Sequence, residues 1–351
     1  MSTSENDNCD CFPKHISNDA INKLLVSIGL PEATNIVIPE ADASFHAIFM
    51  VSIPPNEKTT HDELVLRVAD KHLPQIKTAN EVGVMDENSL GYEYTLLSRV
   101  SGETLRSIWS KLDEKQIDGI LDQLADFLAE LHSYTWPEIG GIVVDAEGNT
   151  RMARVVDEIF RSVRQIRLWP AGETVESLNI GGPYKTYTDY ISAQLNLYIR
   201  LVRLHDKLEF FRHRTSSLRT IISALKMCTE QLDKTRFILA HKNLHFGNIM
   251  YDKESGKITA ILDWGFAGVV PAPKWDPVKA FLWNCESSEE SKEAKKQLNE
   301  RFARRCEERG VKVFLEEMEF TSPSQKAVQT LADRVRAIIE DTVRVESPGG
   351  S

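Results

Sequence analysis

The sequence predicts an α+β fold of two lobes, a small antiparallel β lobe followed by a larger, mainly helical one. Three observations carry this expectation. Short apolar runs bounded by polar turns fill the stretch up to Val100. Amphipathic stripes with i, i+3, i+4 spacing dominate the remainder. One sheet-like island, Arg236 to Asp263, lies between the later helices.

Residues 1–15 read as a flexible, polar end. A short helix is expected over Ile16 to Leu30, with Ile21, Leu24, Leu25 and Ile28 on one side. Two strands follow, Asn35 to Pro39 and His46 to Ile53, joined by the polar connection 40–45. A third strand, Glu63 to Val68, comes after the turn-rich Pro54 to Asp62. Helical spacing then runs from Pro74 through Met85, and the sheet resumes over Tyr92 to Val100, completing a small lobe of residues 16–100.

Gly102 closes that strand and opens a region expected to be all helical. Asp113 to His132 carries Ile117, Ile120, Leu121, Leu124, Phe127, Leu128 and Leu131 on one stripe. Further helices are expected at Tyr187 to Leu204 and Thr215 to Leu232, before the island. Ser287 to Val345 alternates charge with apolar residues as two helices. Residues 101–345 make the larger lobe, and 346–351 a flexible tail. No internal repeat is evident.

A chain of 351 residues can bury a sizeable core, and 42% hydrophobic with 27% charged residues is ordinary for a soluble globular protein. The 42 basic and 52 acidic residues leave a net charge of -10, which repels polyanions and disfavours nucleic acid as a partner. The five cysteines (Cys9, Cys11, Cys228, Cys285 and Cys306) form no disulfide framework. No signal peptide is seen, and no apolar run approaches the roughly 18 residues that span a bilayer. The expectation is a cytoplasmic protein without membrane partners.

The informative passage is Phe237-Ile-Leu-Ala-His241-Lys-Asn243-Leu-His245-Phe-Gly247-Asn248-Ile-Met250, followed after a turn by Ile261-Leu262-Asp263-Trp264-Gly265. Phosphoryl transfer from ATP needs metal ions held by an acidic residue and an amide oxygen. It also needs a carboxylate to accept the attacking hydroxyl's hydrogen bond, and a cation on the phosphates. The kinase pattern H-R-D-L-x-x-x-N followed by D-F-G meets these needs. His241, Asn248 and Asp263-Trp264-Gly265 match it in register, and Asn243 stands where the catalytic aspartate would be.

This run resembles the catalytic core of the aminoglycoside-phosphotransferase and choline-kinase-like superfamily, fungal phosphotransferase-domain proteins in particular. The resemblance extends over roughly residues 35–280. It includes Ser44-Phe45, Leu64-Val-Leu-Arg67, Lys77-Thr-Ala-Asn-Glu81, Gly91-Tyr-Glu-Tyr-Thr-Leu-Leu97, Leu124 through His132 and Ile139-Gly-Gly141. It implies a protein-kinase-like fold that binds ATP and Mg²⁺ and acts on a small-molecule hydroxyl acceptor. Carried over by position, Asn248 and Asp263 would hold Mg²⁺, both through hard oxygens. His241 would brace the loop, and His245 would either brace it or approach the substrate hydroxyl. Arg67 would pair phosphate, with Glu81 as its ionic partner. Ser44 and the hinge Leu96, Leu97, Ser98 and Arg99 would line the nucleotide.

Three departures bear on activity. Asn243 positions a hydroxyl but takes no proton, and loss of a general base costs about 10²–10⁴-fold. The connection 86–91 is too short for a further strand, so the small lobe reads as shortened, through a deletion or a misassigned exon. No G-x-G-x-x-G occurs, and Ala43-Ser44-Phe45 takes its place. Two readings therefore stand: a phosphotransferase with impaired activity, and a catalytically inactive pseudokinase that binds a ligand or protein partner. A protein kinase is disfavoured because no long activation segment and no A-P-E follow Asp263.

Overall fold

A computed structural model of the protein describes residues 16–39, 46–69, 88–144, 148–155, 166–278 and 288–344. Ser44, Glu81, Cys9, Cys11, Cys285, the 74–85 helix and the start of the short connection at Asp86 lie outside them. The described residues fall into two compact units. One ends at Val100 and also takes in Gly148, Ile166 and Arg167; the other holds the rest.

In the first unit, Ser17 caps helix α1 (Asn18–Ser27) by accepting the Ala20 N–H at 3.2 Å. The helix buries Ile21, Leu24 and Leu25 against an antiparallel sheet. That sheet runs in the order β1 (Asn35–Val37), β2 (His46–Ser52), β3 (Glu63–Ala69), β4 (Tyr94–Ser98). Period-two alternation on β3 sends Leu64, Leu66 and Val68 into the core with Phe49, Val51 and Tyr94, and places Arg67 on the opposite face. Arg67 sits across from Ile48 on β2 and Thr95 on β4.

The second unit is mainly helical but not wholly so, which corrects the all-helical expectation after Gly102. Strand β5 (Glu103–Thr104) pairs with β9 (Ile249–Asp252), and β6 (Gly141–Val144) pairs with β7 (Thr150–Ala153). Both are too short for a period to show in sequence. Helix α2 (Leu105–Ile108) follows β5 directly. Asp113 and Gln116 form a capping box for α3 (Glu114–Leu131), which buries Ile120, Leu121, Leu124 and Leu128. A short α4 (Val175–Leu178) precedes α5 (Tyr187–Leu204), whose bounds coincide with its apolar stripe. The run expected from Thr215 breaks at Cys228 into α6 (Thr215–Met227) and α7 (Thr229–Leu232).

The island becomes β8 (Phe237–Ala240), β9 and β10 (Lys257–Ile261), with β11 (Gly268–Pro271) after it. The C-terminal helices are α8 (Glu289–Glu308), the short α9 (Val313–Glu316) and α10 (Pro323–Val343). Helix α8 lies along α3, burying Phe302 and Cys306 in a core shared with Leu121, Leu124, Ile238, Phe246 and Ile249. Beside that core runs a ladder of charges. Arg301 Nε donates to Asp118 at 2.8 Å, Arg305 Nε to Asp122 at 2.8 Å and Arg309 Nε to Asp126 at 3.1 Å, with Arg301 also reaching Glu114. Among the described residues no helix is long and apolar enough to cross a membrane.

Candidate active site

Two strand ladders position the site. The β8–β11 pairing ends at Ala240↔Gly268, and the β9–β10 pairing ends at Ile249↔Ile261. The connections 241–248 and 262–267 leave from those ends and meet. Leu262 N–H donates to Asn248 O at 2.7 Å, and His241 Nε2 to Leu262 O at 2.9 Å. The first connection is pinned by alternate apolar side chains: Leu244 and Phe246 are buried, Phe246 against Trp109 at 4.2 Å between ring centroids. Asn243, His245 and Asn248 are left half-buried.

His241 is fully buried, with the Trp264 ring 4.6 Å away. Its Nδ1 accepts the Asn243 N–H at 3.2 Å, so one neutral tautomer satisfies both ring nitrogens. Burial pushes its pKa down to about 4. A neutral imidazole hydrogen-bonded to two backbone groups braces the loop. His245 accepts the Gly247 N–H on Nδ1 at 3.0 Å. A Cβ at Gly247 would lie 2.8 Å from His245 Cε1, so glycine lets the imidazole fold back over its own turn. Its pKa is lowered by burial first, then by the charge of Arg106.

Asn243 lies at the centre. Its Nδ2 donates to Asp263 Oδ2 at 2.5 Å, and its backbone carbonyl accepts Asn248 Nδ2 at 2.8 Å. The two residues expected to hold a cation are thus joined through the one expected to meet the substrate. Asp263 and Lys242 are the non-glycine residues with positive φ among the described residues, both at 62°. Left-handed backbone costs roughly 1–2 kcal/mol per residue and persists where the surroundings impose it.

Mg²⁺ takes one or two carboxylates and completes its shell with waters and phosphate oxygens. Asp263 supplies one carboxylate. Asn248 turns its amide nitrogen to Asn243 O at 2.8 Å and to His245 Nε2 at 3.2 Å, so its Oδ1 would be the atom to ligate a cation. The donor set suits Mg²⁺. Among the described residues no group of three or more His, Cys, Asp or Glu could hold a metal, and a pair of Asp and Asn ligands would leave the other Mg²⁺ positions to waters or phosphate oxygens.

Arg67 lies mid-strand in the first unit. Leu96, Leu97 and Ser98 pair from β4 with Leu66, Val65 and Leu64, and Arg99 forms an ion pair with Glu63 at 3.1 Å. Sequence reasoning missed Arg106 as a charge facing His245. It reaches the site through the two-residue β5 and the turn of α2 that follows, and neither carries a local signal. The strained Lys242 was equally invisible.

The family model of the phosphotransferase enzyme family, APH, matches residues 50–273. A subtelomeric hrmA-associated cluster protein of Aspergillus fumigatus is 20% identical over 59% of this chain and 49% of its own length. The counterpart from a second strain of that organism matches equally. The chain therefore spans about half the length of these curated relatives. Among solved structures, ADP-bound aminoglycoside phosphotransferase APH(2″)-Ib is 13% identical, over 94% of this chain and 97% of that one, at a TM-score of 0.43. Choline kinase of Cryptosporidium parvum is 13% identical, over 88% and 81%, at a TM-score of 0.35.

Proposed function

Because the chain belongs to the phosphotransferase enzyme family, we propose that it transfers a phosphoryl group from ATP to a hydroxyl of a small-molecule metabolite, at a rate limited by Asn243. The observation that carries this reading is the contact network of Asn243, Asn248 and Asp263, a cation-and-acceptor constellation drawn from two separate loops.

Each residue has a task in it. Asp263 and Asn248 would hold Mg²⁺, which would neutralise charge on the transferring phosphate. Asn243 orients the acceptor hydroxyl through its amide oxygen, while the proton leaves to solvent or phosphate. His241 keeps the loop rigid from behind. Positioning and electrostatics supply most of the acceleration in this reaction class, so an amide in place of the base slows the reaction without abolishing it. Within the first unit, Arg67 and Leu96 to Arg99 are the candidate nucleotide-binding residues that the family resemblance implies, with Ser44 and Glu81 outside the described residues.

A second reading, an inactive pseudokinase, is favoured by one observation: the Asn243 amide donates to Asp263 instead of offering a base. Thermal unfolding with ATP, with and without Mg²⁺, on native protein and Asn243→Asp is the first test. A nucleotide at 100 times its dissociation constant adds about 2.7 kcal/mol, and no metal-dependent shift in either protein leaves the pseudokinase reading, which needs no nucleotide, ahead. ATP turnover with candidate hydroxyl acceptors then decides. The phosphotransferase reading expects slow turnover in the native protein and about 10²–10⁴-fold more in Asn243→Asp. No turnover in either leaves the pseudokinase.

A further inference from the structure

We propose that the hollow between helices α5 and α6 binds a small soluble molecule carrying phosphate, a role that does not depend on the phosphotransferase reading. The hollow measures about 500 Å³ and is lined by Asn196, Ile199, Arg200, Arg203, Leu204 and Arg219. Sites for small ligands run from about 300 to 1,000 Å³. No residue of the 241–248 or 262–267 connections lines it, so it stands apart from the candidate active site.

The three arginines differ in what they have left to give. Arg200 Nη2 donates to both Glu173 oxygens, at 2.8 and 2.7 Å, and its Nη1 donates to Ser177 O at 2.7 Å. It is a neutralised wall. Arg203 and Arg219 are exposed, and among the described residues no carboxylate pairs with either side chain. Two unpaired guanidinium groups therefore share one concave space, and an anion between them relieves their repulsion.

Helix dipoles account for one of the two charges. Arg203 stands in the last turn of α5, where a cation meets the negative helix end. Arg219 stands in the second turn of α6, where the dipole offers a cation nothing. The charge is also local. Seven arginines and lysines against two acidic residues stand from Arg200 to Lys226, in a chain of net charge -10. A guanidinium fork takes two phosphate oxygens at once, which a solvated carboxylate-free hollow leaves it free to do. Ile199 and Leu204 offer apolar surface to the carbon part of such a molecule, and Asn196 a neutral hydrogen bond.

The test is calorimetric titration with inorganic pyrophosphate, in EDTA and at low salt. Native protein is compared with R203Q, R219Q, the lysine exchange R203K/R219K and K226Q. Lys226 is exposed on α6 but outside the lining, so its loss reads the effect of net charge alone. The native protein should bind pyrophosphate, and R203Q and R219Q should each weaken it about 10-fold or more. The lysine exchange should keep part of the affinity, since it retains the charge and loses the fork. K226Q should bind as the native protein does. Both arginines are exposed, so their variants should melt near the native temperature. Sedimentation with phosphatidylcholine vesicles containing phosphatidic acid separates a lipid headgroup from a soluble phosphate, and the native protein should stay in the supernatant. The proposal is overturned if the native protein ignores pyrophosphate or if R203Q and R219Q bind it as tightly as native. Equal loss in K226Q, or capture by the vesicles through Arg203 and Arg219, overturns it as well. ATP turnover is measured separately, and its absence would remove the phosphotransferase reading while leaving this site in place.

Discussion

Burial holds the His241 imidazole neutral, and His132 shares that state, its pKa also pushed down to about 4 by burial. Unfolded histidine titrates near 6.5, so between about pH 6.5 and 4 the unfolded chain binds protons that the folded one refuses. Stability from these groups is complete above pH 6.5 and is lost as pH falls through that window. For His241 the loss is about 3 kcal/mol at the acid end. Melting temperature between pH 7 and 4 should fall less steeply in His241→Gln than in the native protein, even where the variant starts lower. An unchanged slope would mean that the histidine charges freely in the folded state. For His241 the family resemblance implied a bracing place in the loop, and the structure gives its ring hydrogen bonds to Leu262 O and from the Asn243 N–H. The partner of Asn243 was not legible, because contact with Asp263 depends on two ladders ending in register, and no local pattern encodes that.

Among the elements, the β5–β9 pairing and the α3–α8 ladder make the sharpest predictions. Gly102 stands at φ 96°, and a Cβ there would lie 2.4 Å from Tyr251 O. Gly102→Ala should therefore cost more than the approximately 1 kcal/mol of left-handed backbone alone, read as a lower denaturant midpoint. It should also loosen α2, which carries Arg106. The ion pairs of α3 with α8 are half exposed, so each contributes at most about 1 kcal/mol. Arg305→Gln should destabilise by that order at low salt and by clearly less at 1 M NaCl, where the Debye length shrinks to about 3 Å. Helix α5 was legible to its ends because Thr186 caps it and its buried stripe, Tyr187 to Val202, keeps one period throughout. Strands β5 to β7 were illegible because two to four residues hold no period. The break at Cys228 escaped because apolar spacing continues across it.

The whole chain was legible in order, small antiparallel sheet first and helical body second, because binary patterning survives over long windows even where short elements do not. What patterning left hidden is how distant segments meet. The arginines of α8 pair with α3 residues 183 positions earlier. Until they arrive, Asp118, Asp122 and Asp126 stand one turn apart with like charge, an arrangement that disfavours helix. During synthesis at about 5–20 residues per second, the partner helix emerges roughly 10–40 s after α3 has left the ribosome. Nascent chains arrested before Arg301 should be cleaved within α3 by a protease that spares it in chains extending past Arg309. The newborn segment thus spends that interval with an acidic flank uncovered.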